Sequence, residues 1–292
     1  MLGPEMPARP GRARRITGQF GRALFRVFHG GSVSQAQAAA FLMLLGFFPL
    51  LLLLASLLSL SPTLSAIAFE IVETLQSVLP PGSRRLVFEY FDRLAAEPVP
   101  PLLFGLIGTM LVGSQIVYTL TRAMQGLCPG ARVLGFWKGQ LRALGLMFVV
   151  IGPWVMTTLL TVFAKPFRER LTQELGLVRL VRLIWVAGYA GLALLTAILV
   201  LVLLYRWGVA APQRWRDVLP GAALATVLWW LVNSGFGYYV RRVPAVNVVY
   251  GGFAAVVGLL FWMYLMAMVV LIGVAFNAER QPHLKREPGT PD

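Results

Sequence analysis

The chain has few of the groups that carry acid–base or metal chemistry. Its 292 residues include two histidines, one cysteine and only 12 Asp and Glu residues. A metal centre needs several His, Cys, Asp or Glu side chains at one point, and His29 and His283 form no HxxxH or HxxE pattern. A Ser-His-acid triad lacks a suitably placed histidine, and no GxxxxGK[ST] phosphate loop occurs. The sequence therefore predicts a protein that is not an enzyme and binds no metal or cofactor.

Charged residues are also scarce, at 13% of the chain, whereas a soluble domain has about 25%. Hydrophobic residues make up 58%, and the mean hydropathy is +0.72. So few charges cannot cover a globular surface in water. The single cysteine, Cys128, excludes an intramolecular disulfide. The Arg-rich start of the chain has no small-residue cleavage site after it, so no signal peptide is predicted.

The chain instead contains six long apolar runs. About 20 apolar helical residues cross a hydrocarbon core of about 30 Å, and a helix satisfies its own backbone groups in lipid. The sequence predicts an all-α, polytopic membrane protein with six transmembrane helices in one domain, residues 16–279. The predicted spans are residues 33–60, 102–120, 143–164, 183–204, 218–239 and 251–278.

Four further segments flank or interrupt the spans. Residues 1–15 are rich in Pro, Gly and Arg and are expected to be disordered, as is the tail 280–292. From Ile16, apolar residues recur on one helical face with Arg22 and Arg26 opposite, which predicts an amphipathic helix in the membrane interface with its arginines toward water. Residues 61–101 are predicted to form an extracytoplasmic amphipathic segment.

The distribution of positive charge predicts the orientation. Sixteen of the 26 Lys and Arg residues flank the spans on the side of the two termini, and ten lie on the other side. Positive residues favour the cytoplasm, so both termini are expected there. The five basic residues between the third and fourth spans run against this bias.

We expect the net charge of +14 to interact with the membrane surface and not with nucleic acid, because no separate basic domain exists. The excess lies mostly in arginines beside the spans, where anionic phospholipid headgroups would face them. The candidates for headgroup contact are Arg22, Arg26, Arg122, Arg132, Arg241 and Arg242.

The middles of the spans contain polar side chains but no charged ones, which argues against a carboxylate proton relay. A cross-helix hydrogen bond is the first interpretation of each polar side chain, and the lining of a substrate cavity is the second. The cavity candidates are Gln115, Asn233, Ser234 and Asn247.

Three motifs in the last third of the chain carry a family resemblance. They are WRDVLPGA from Trp215, YGGFAAVVGLLFWMYL from Tyr250 and NAE from Asn277. In this combination and spacing, the chain resembles the YihY/BrkB membrane-protein family, more weakly over residues 25–279. The motif residues are Trp215, Asp217, Pro220, Gly221, Tyr250, Gly251, Asn277 and Glu279.

The resemblance implies a bacterial inner-membrane protein with six helices and no settled biochemical activity. The family has carried a ribonuclease label, for which the residues here offer no support. A charge-free apolar interior between two basic faces favours transport or flipping of a lipid-like or amphiphilic substrate across the inner membrane. The alternative is a non-transporting scaffold for a partner in envelope biogenesis.

Overall fold

The computed structural model describes residues 12–60 and 99–281, except 129, 132–133, 176–177, 212 and 243. In its helices, the side chains of residues 12–16, 162–163, 165–184 and 240–255 are also outside the description. All regular structure in this part of the chain is helical. The helices are α1 (Arg12–His29), α2 (Ser32–Ser59), α3 (Val99–Leu127), α4 (Phe136–Leu175), α5 (Val178–Gly208), α6 (Trp215–Arg242) and α7 (Pro244–Arg280).

Helices α2 to α7 each contain a segment long and apolar enough to cross a membrane. This confirms the predicted fold class, an all-α polytopic membrane protein with six spans. The six segments are Ser32–Ser59, Val99–Leu127, Phe136–Thr161, Trp185–Gly208, Trp215–Tyr239 and Val256–Arg280.

Several helices extend beyond the apolar runs that predicted them. Helix α7 begins at Pro244, seven residues before the predicted span, because proline is tolerated at the first helical position. Helix α1 begins at Arg12, inside the segment expected to be disordered. Most of the predicted amphipathic segment, residues 61–98, and most of the predicted tail, residues 282–292, lie outside the described residues.

The spans form a closed ring of neighbours in chain order. Each span from α2 to α6 packs against the next, and α7 closes the ring against α2. Helix α7 also contacts α1 and α3, and half of its span is buried, more than in the other five. Helix α7 is therefore the most enclosed of the six spans.

The best-packed region lies where α1 meets the end of α7. We call it the terminal end: α1, the C-terminal parts of α3, α5 and α7, and the N-terminal parts of α4 and α6. The largest fully buried side chains other than Ser56 all lie there: Tyr205, Met124, Leu271, Val27, Val209, Val218 and Val274.

Glycines bring α6 and α7 into backbone contact within the terminal end. A Cβ atom on Gly221 would overlap the carbonyl oxygen of Gly273, and one on Gly273 would lie 2.7 Å from that of Gly221. Small residues allow membrane helices to approach this closely. The hydroxyl of Tyr205 donates to the carbonyl of Val270 at 2.9 Å, beside the contact, and so ties α5 to the same pair.

Candidate functional site

Side chains at and just beyond the end of α7 bond to the backbone of α6 on either side of Pro220. Proline has no N–H, so it cannot make the bond to the carbonyl of Arg216 that another residue would make in a helix. The N–H of Gly221 donates to Oδ1 of Asn277 at 2.7 Å, and Nδ2 of Asn277 donates to the carbonyl of Val218 at 2.9 Å. Nε2 of Gln281 donates to the carbonyl of Asp217 at 3.4 Å. Asn277 is 2% exposed, so its carboxamide is committed to these bonds.

The motif residues therefore form a contact between two helices. Gly221 and Asn277, 56 residues apart in sequence, are joined directly. Asp217 lies in the first turn of α6, where an acidic side chain favours the helix dipole. The Trp215 ring packs edge-on against Trp207, and the guanidinium of Arg206 lies 5.3 Å from its centroid. Tyr250 and Gly251 belong to the part of α7 whose side-chain surroundings are outside the description.

Glu279 is a buried carboxylate in the last turn of α7, with its side chain 4% exposed. Its Oε2 lies 3.1 Å from Nε of Arg22, and its Oε1 lies 3.3 Å from an amino nitrogen of Arg26. A carboxylate near the negative end of a helix dipole, out of water, requires such cations. Two arginines expected to face water and headgroups are thus ion-paired within the protein, although the Arg22 side chain stays 61% exposed.

Part of the apolar face of α1 is buried against other helices of the protein. Ala23 and Val27 are fully buried, whereas Phe28 on the same predicted face is 55% exposed. Helix α1 packs against α7 and α2. It is therefore a docked part of the bundle.

Other basic and amide side chains of the terminal end bond to the carbonyls that helix ends leave without partners. An amino group of Arg26 donates to the carbonyl of Leu127 at 3.3 Å, at the end of α3. At the end of α5, Arg142 donates to the carbonyl of Trp207, and Nε2 of Gln125 donates to that of Gly208 at 3.2 Å. Arg122 donates to the carbonyl of Leu134 at 3.4 Å. The side chains of Arg132, Arg241 and Arg242 lie outside the described set.

The polar residues singled out within the spans are placed differently from one another. Asn233 makes a cross-helix bond, because its Oδ1 accepts from Nε1 of Trp262 at 3.1 Å. Its Nδ2 donates to the carbonyl of Trp229 at 2.8 Å. Gln115 is half-buried, Ser234 is exposed, and Asn247 has no described side chain. A hydroxyl pair not indicated by the sequence, Thr157 and Thr196, joins α4 to α5 at 2.6 Å.

A groove of about 400 Å³ lies between α3 and α4. Nε2 of Gln140 donates to Oγ of Ser114 at 2.9 Å across it, and Oε1 of Gln140 is buried without a hydrogen-bond partner. The sequence placed Gln140 in a polar link, but α4 begins at Phe136 and puts it one turn inside a span. The groove is lined by Ile107, Met110, Leu111, Ser114, Trp137, Gln140, Leu141 and Leu144.

Cys128 is buried just after the end of α3. Burial raises the pKa of its thiol to about 12, because the thiolate would lose its hydration, and nearby Arg26 offsets only part of this effect. Within the described residues, no three His, Cys, Asp or Glu side chains are grouped to hold a metal ion.

Six long apolar helices that pack against one another define an integral polytopic α-helical membrane protein. The family model for Virulence factor BrkB matches residues 25–291. The chain belongs to the BrkB family.

Curated relatives agree with this membership. A UPF0761 membrane protein of Paraburkholderia xenovorans is 26% identical over 203 residues, which are 67% of this chain and 44% of the relative. A UPF0761 membrane protein of Xanthomonas campestris is 27% identical over 95% of this chain and 65% of its own length. A Bacillus subtilis protein named as ribonuclease-like, YfkH, is 24% identical over 86% of this chain and 90% of its own length. The chain thus spans less than two thirds of both UPF0761 relatives. No solved structure matches.

The ion pairs of Glu279 predict non-additive mutational effects. Changing Arg22→Met together with Arg26→Met removes two cations from a buried carboxylate, and we expect about 3 kcal/mol of lost stability. Adding Glu279→Met to the double variant should restore most of the lost stability, because three apolar side chains leave no buried charge without a partner. Unfolding free energies measured in detergent test this. Arg216→Met, at an exposed position of the same end, is the control and should change little. Additive losses in the triple variant would contradict the pairing.

Proposed function

We propose that the protein moves a lipid-like, amphiphilic substrate across the membrane. The observation that carries the proposal is that polar groups in the interiors of the described spans are uncharged, and that three pairs of them are hydrogen-bonded across helices. The pairs are Ser114–Gln140, Thr157–Thr196 and Asn233–Trp262. Every Asp, Glu, Lys and Arg of the six span segments lies toward the terminal end.

This distribution favours an amphiphile over an ion or a polar solute. Proton-coupled transporters place ionisable groups within the membrane, and the described span interiors have none. A headgroup needs hydrogen-bond partners at successive depths, while its acyl chains remain in lipid. Gln140 lies about 6 Å along α4 from Phe136 and Thr157 about 32 Å, at 1.5 Å per residue, so the pairs occupy well-separated levels.

The packing of the terminal end favours a second candidate, a non-transporting scaffold. Interlocked side chains fix the end of the bundle, and Phe25 and Phe28 of the docked helix α1 are more than half exposed. A rigid end with exposed aromatic groups suits contact with a partner in envelope biogenesis. A stable crosslinked partner would favour this candidate over transport.

We infer that the protein resides in the bacterial inner membrane with both termini in the cytoplasm. The contact of Arg22 with Glu279 supports one side for the two ends, since it joins α1 to the last turn of α7. The excess of Lys and Arg beside that end supports the cytoplasmic side.

Reporter fusions test the orientation. Green fluorescent protein fused at either terminus should fluoresce, and alkaline phosphatase at the same points should be inactive, because both sites are expected in the cytoplasm. Fusion within residues 61–98, between the first two spans, should give the opposite pair of results. Active phosphatase at either terminus would contradict the inference.

Reconstitution tests the transport proposal. Liposomes that contain the full-length protein and a fluorescent phosphatidylglycerol are treated with a membrane-impermeant quencher. We expect faster loss of inner-leaflet fluorescence than in liposomes without protein, because the pairs within the spans provide hydrogen bonds for the headgroup. Liposomes that contain heat-unfolded protein control for leakage. Equal rates with folded and unfolded protein would exclude lipid movement.

A further inference from the structure

We propose that the groove between α3 and α4 binds one anionic phospholipid that carries a free hydroxyl, of which phosphatidylglycerol is the simplest example. The inference rests on the proposed function in one respect, because it names the class of amphiphile and its docking site. Binding and movement are measured separately.

The walls of the groove suit an acyl chain. Ile107, Leu111 and Leu141 are 56%, 64% and 73% exposed in the protein alone. They lie in membrane spans, so lipid and not water is their surrounding medium. A volume of about 400 Å³ falls within the range of sites for small ligands.

Gln140 supplies the group that selects a hydroxyl. Oγ of Ser114 donates to the carbonyl of Leu111 at 2.9 Å, so it accepts the bond from Nε2 of Gln140. This arrangement orients the carboxamide and leaves its Oε1 as a buried acceptor without a partner. An unpaired buried acceptor costs free energy that a bound donor recovers. A lipid hydroxyl provides that donor in a medium without water.

The charge around the groove selects an anion. No Asp or Glu occurs between Glu97 and Glu169. Lys138 is exposed and lies between Trp137 and Gln140, at the level of the groove. Arg122 is exposed and lies opposite the start of α4. Cations at this level attract a phosphate, whose position next to the glycerol places the hydroxyl near Gln140.

The arrangement is also matched to the membrane. Trp137, 82% exposed in the first turn of α4, lies at the level where aromatic side chains meet headgroups. Lys138 and Gln140 are two residues apart, about 3 Å along the helix, so they lie at nearly one level. A headgroup that lies across the groove at this level places its phosphate near Lys138 and its hydroxyl near Gln140, with the acyl chains along the apolar walls.

Binding of three lipids to the full-length protein in detergent, measured by native mass spectrometry, tests the site. Phosphatidylmethanol has the same charge as phosphatidylglycerol but no hydroxyl, and phosphatidylcholine has neither a net charge nor a donor. We expect the wild-type protein to bind phosphatidylglycerol about three- to tenfold more tightly than phosphatidylmethanol. Phosphatidylcholine should bind more weakly than both.

Two variants complete the test. Gln140→Met should reduce phosphatidylglycerol affinity to that of phosphatidylmethanol. Gln37→Met removes an exposed glutamine from α2, outside the groove, and should leave affinity unchanged. Equal binding of phosphatidylglycerol and phosphatidylmethanol by the wild type would overturn the proposal, as would wild-type affinity in Gln140→Met. Should the variant not fold, the wild-type comparison decides.

The liposome assay separates the two proposals. Selective binding without lipid movement would sustain the site and exclude transport. Lipid movement with no preference for the hydroxyl would sustain transport and exclude this site.

Discussion

The structure depends on the satisfaction of backbone polar groups where helices meet without water. The carboxamide of Asn277 is the clearest case, since it accepts from the N–H of Gly221 and donates to the carbonyl of Val218. Pro220 lies between Val218 and Gly221, and the Asn277 side chain at the end of α7 bonds to the α6 backbone on both sides of it. The bond requires close approach, and Gly221 and Gly273 permit it. The WRDVLPGA motif of α6 and the NAE motif of α7 therefore form one contact.

The remaining features of the terminal end follow the same rule. Arg26 bonds both the carboxylate of Glu279 and the carbonyl that ends α3, so one side chain joins three helices. Arg142 and Gln125 serve the carbonyls that end α5. Several arginines that were expected to contact lipid headgroups therefore make hydrogen bonds or ion pairs within the protein. Lys138 and Arg122, near the groove, are both exposed.

Composition and apolar runs were sufficient to predict the fold. Six uncharged stretches require helices in lipid, and three local motifs indicated the family. Asn233 was expected to bond across helices, and it does so with Trp262. The pairing of Arg22 with Glu279 could not be predicted, because 257 residues separate them and no local pattern links α1 to α7. Gln140 was missed because basic residues on both sides made a helical segment resemble a link.

A closely packed terminal end lies beside an open groove on the side of the bundle. Bonds at that end join α3 to α1 and α4 to α5, and they position the two helices that carry the Ser114–Gln140 pair. Both proposals for function depend on the packing of the terminal end. We expect that packing to depend in turn on the contact between α6 and α7.

Thermal unfolding of Gly221→Ala beside Gly235→Ala tests that contact most directly. A methyl group on Gly221 would overlap the backbone of α7, whereas one on Gly235, in the same helix, meets nothing within 4 Å. The account predicts that Gly221→Ala loses about 3 kcal/mol of stability through overpacking. Gly235→Ala should unfold at the wild-type temperature or above it, since alanine favours helix. Equal unfolding temperatures for the two variants would contradict it.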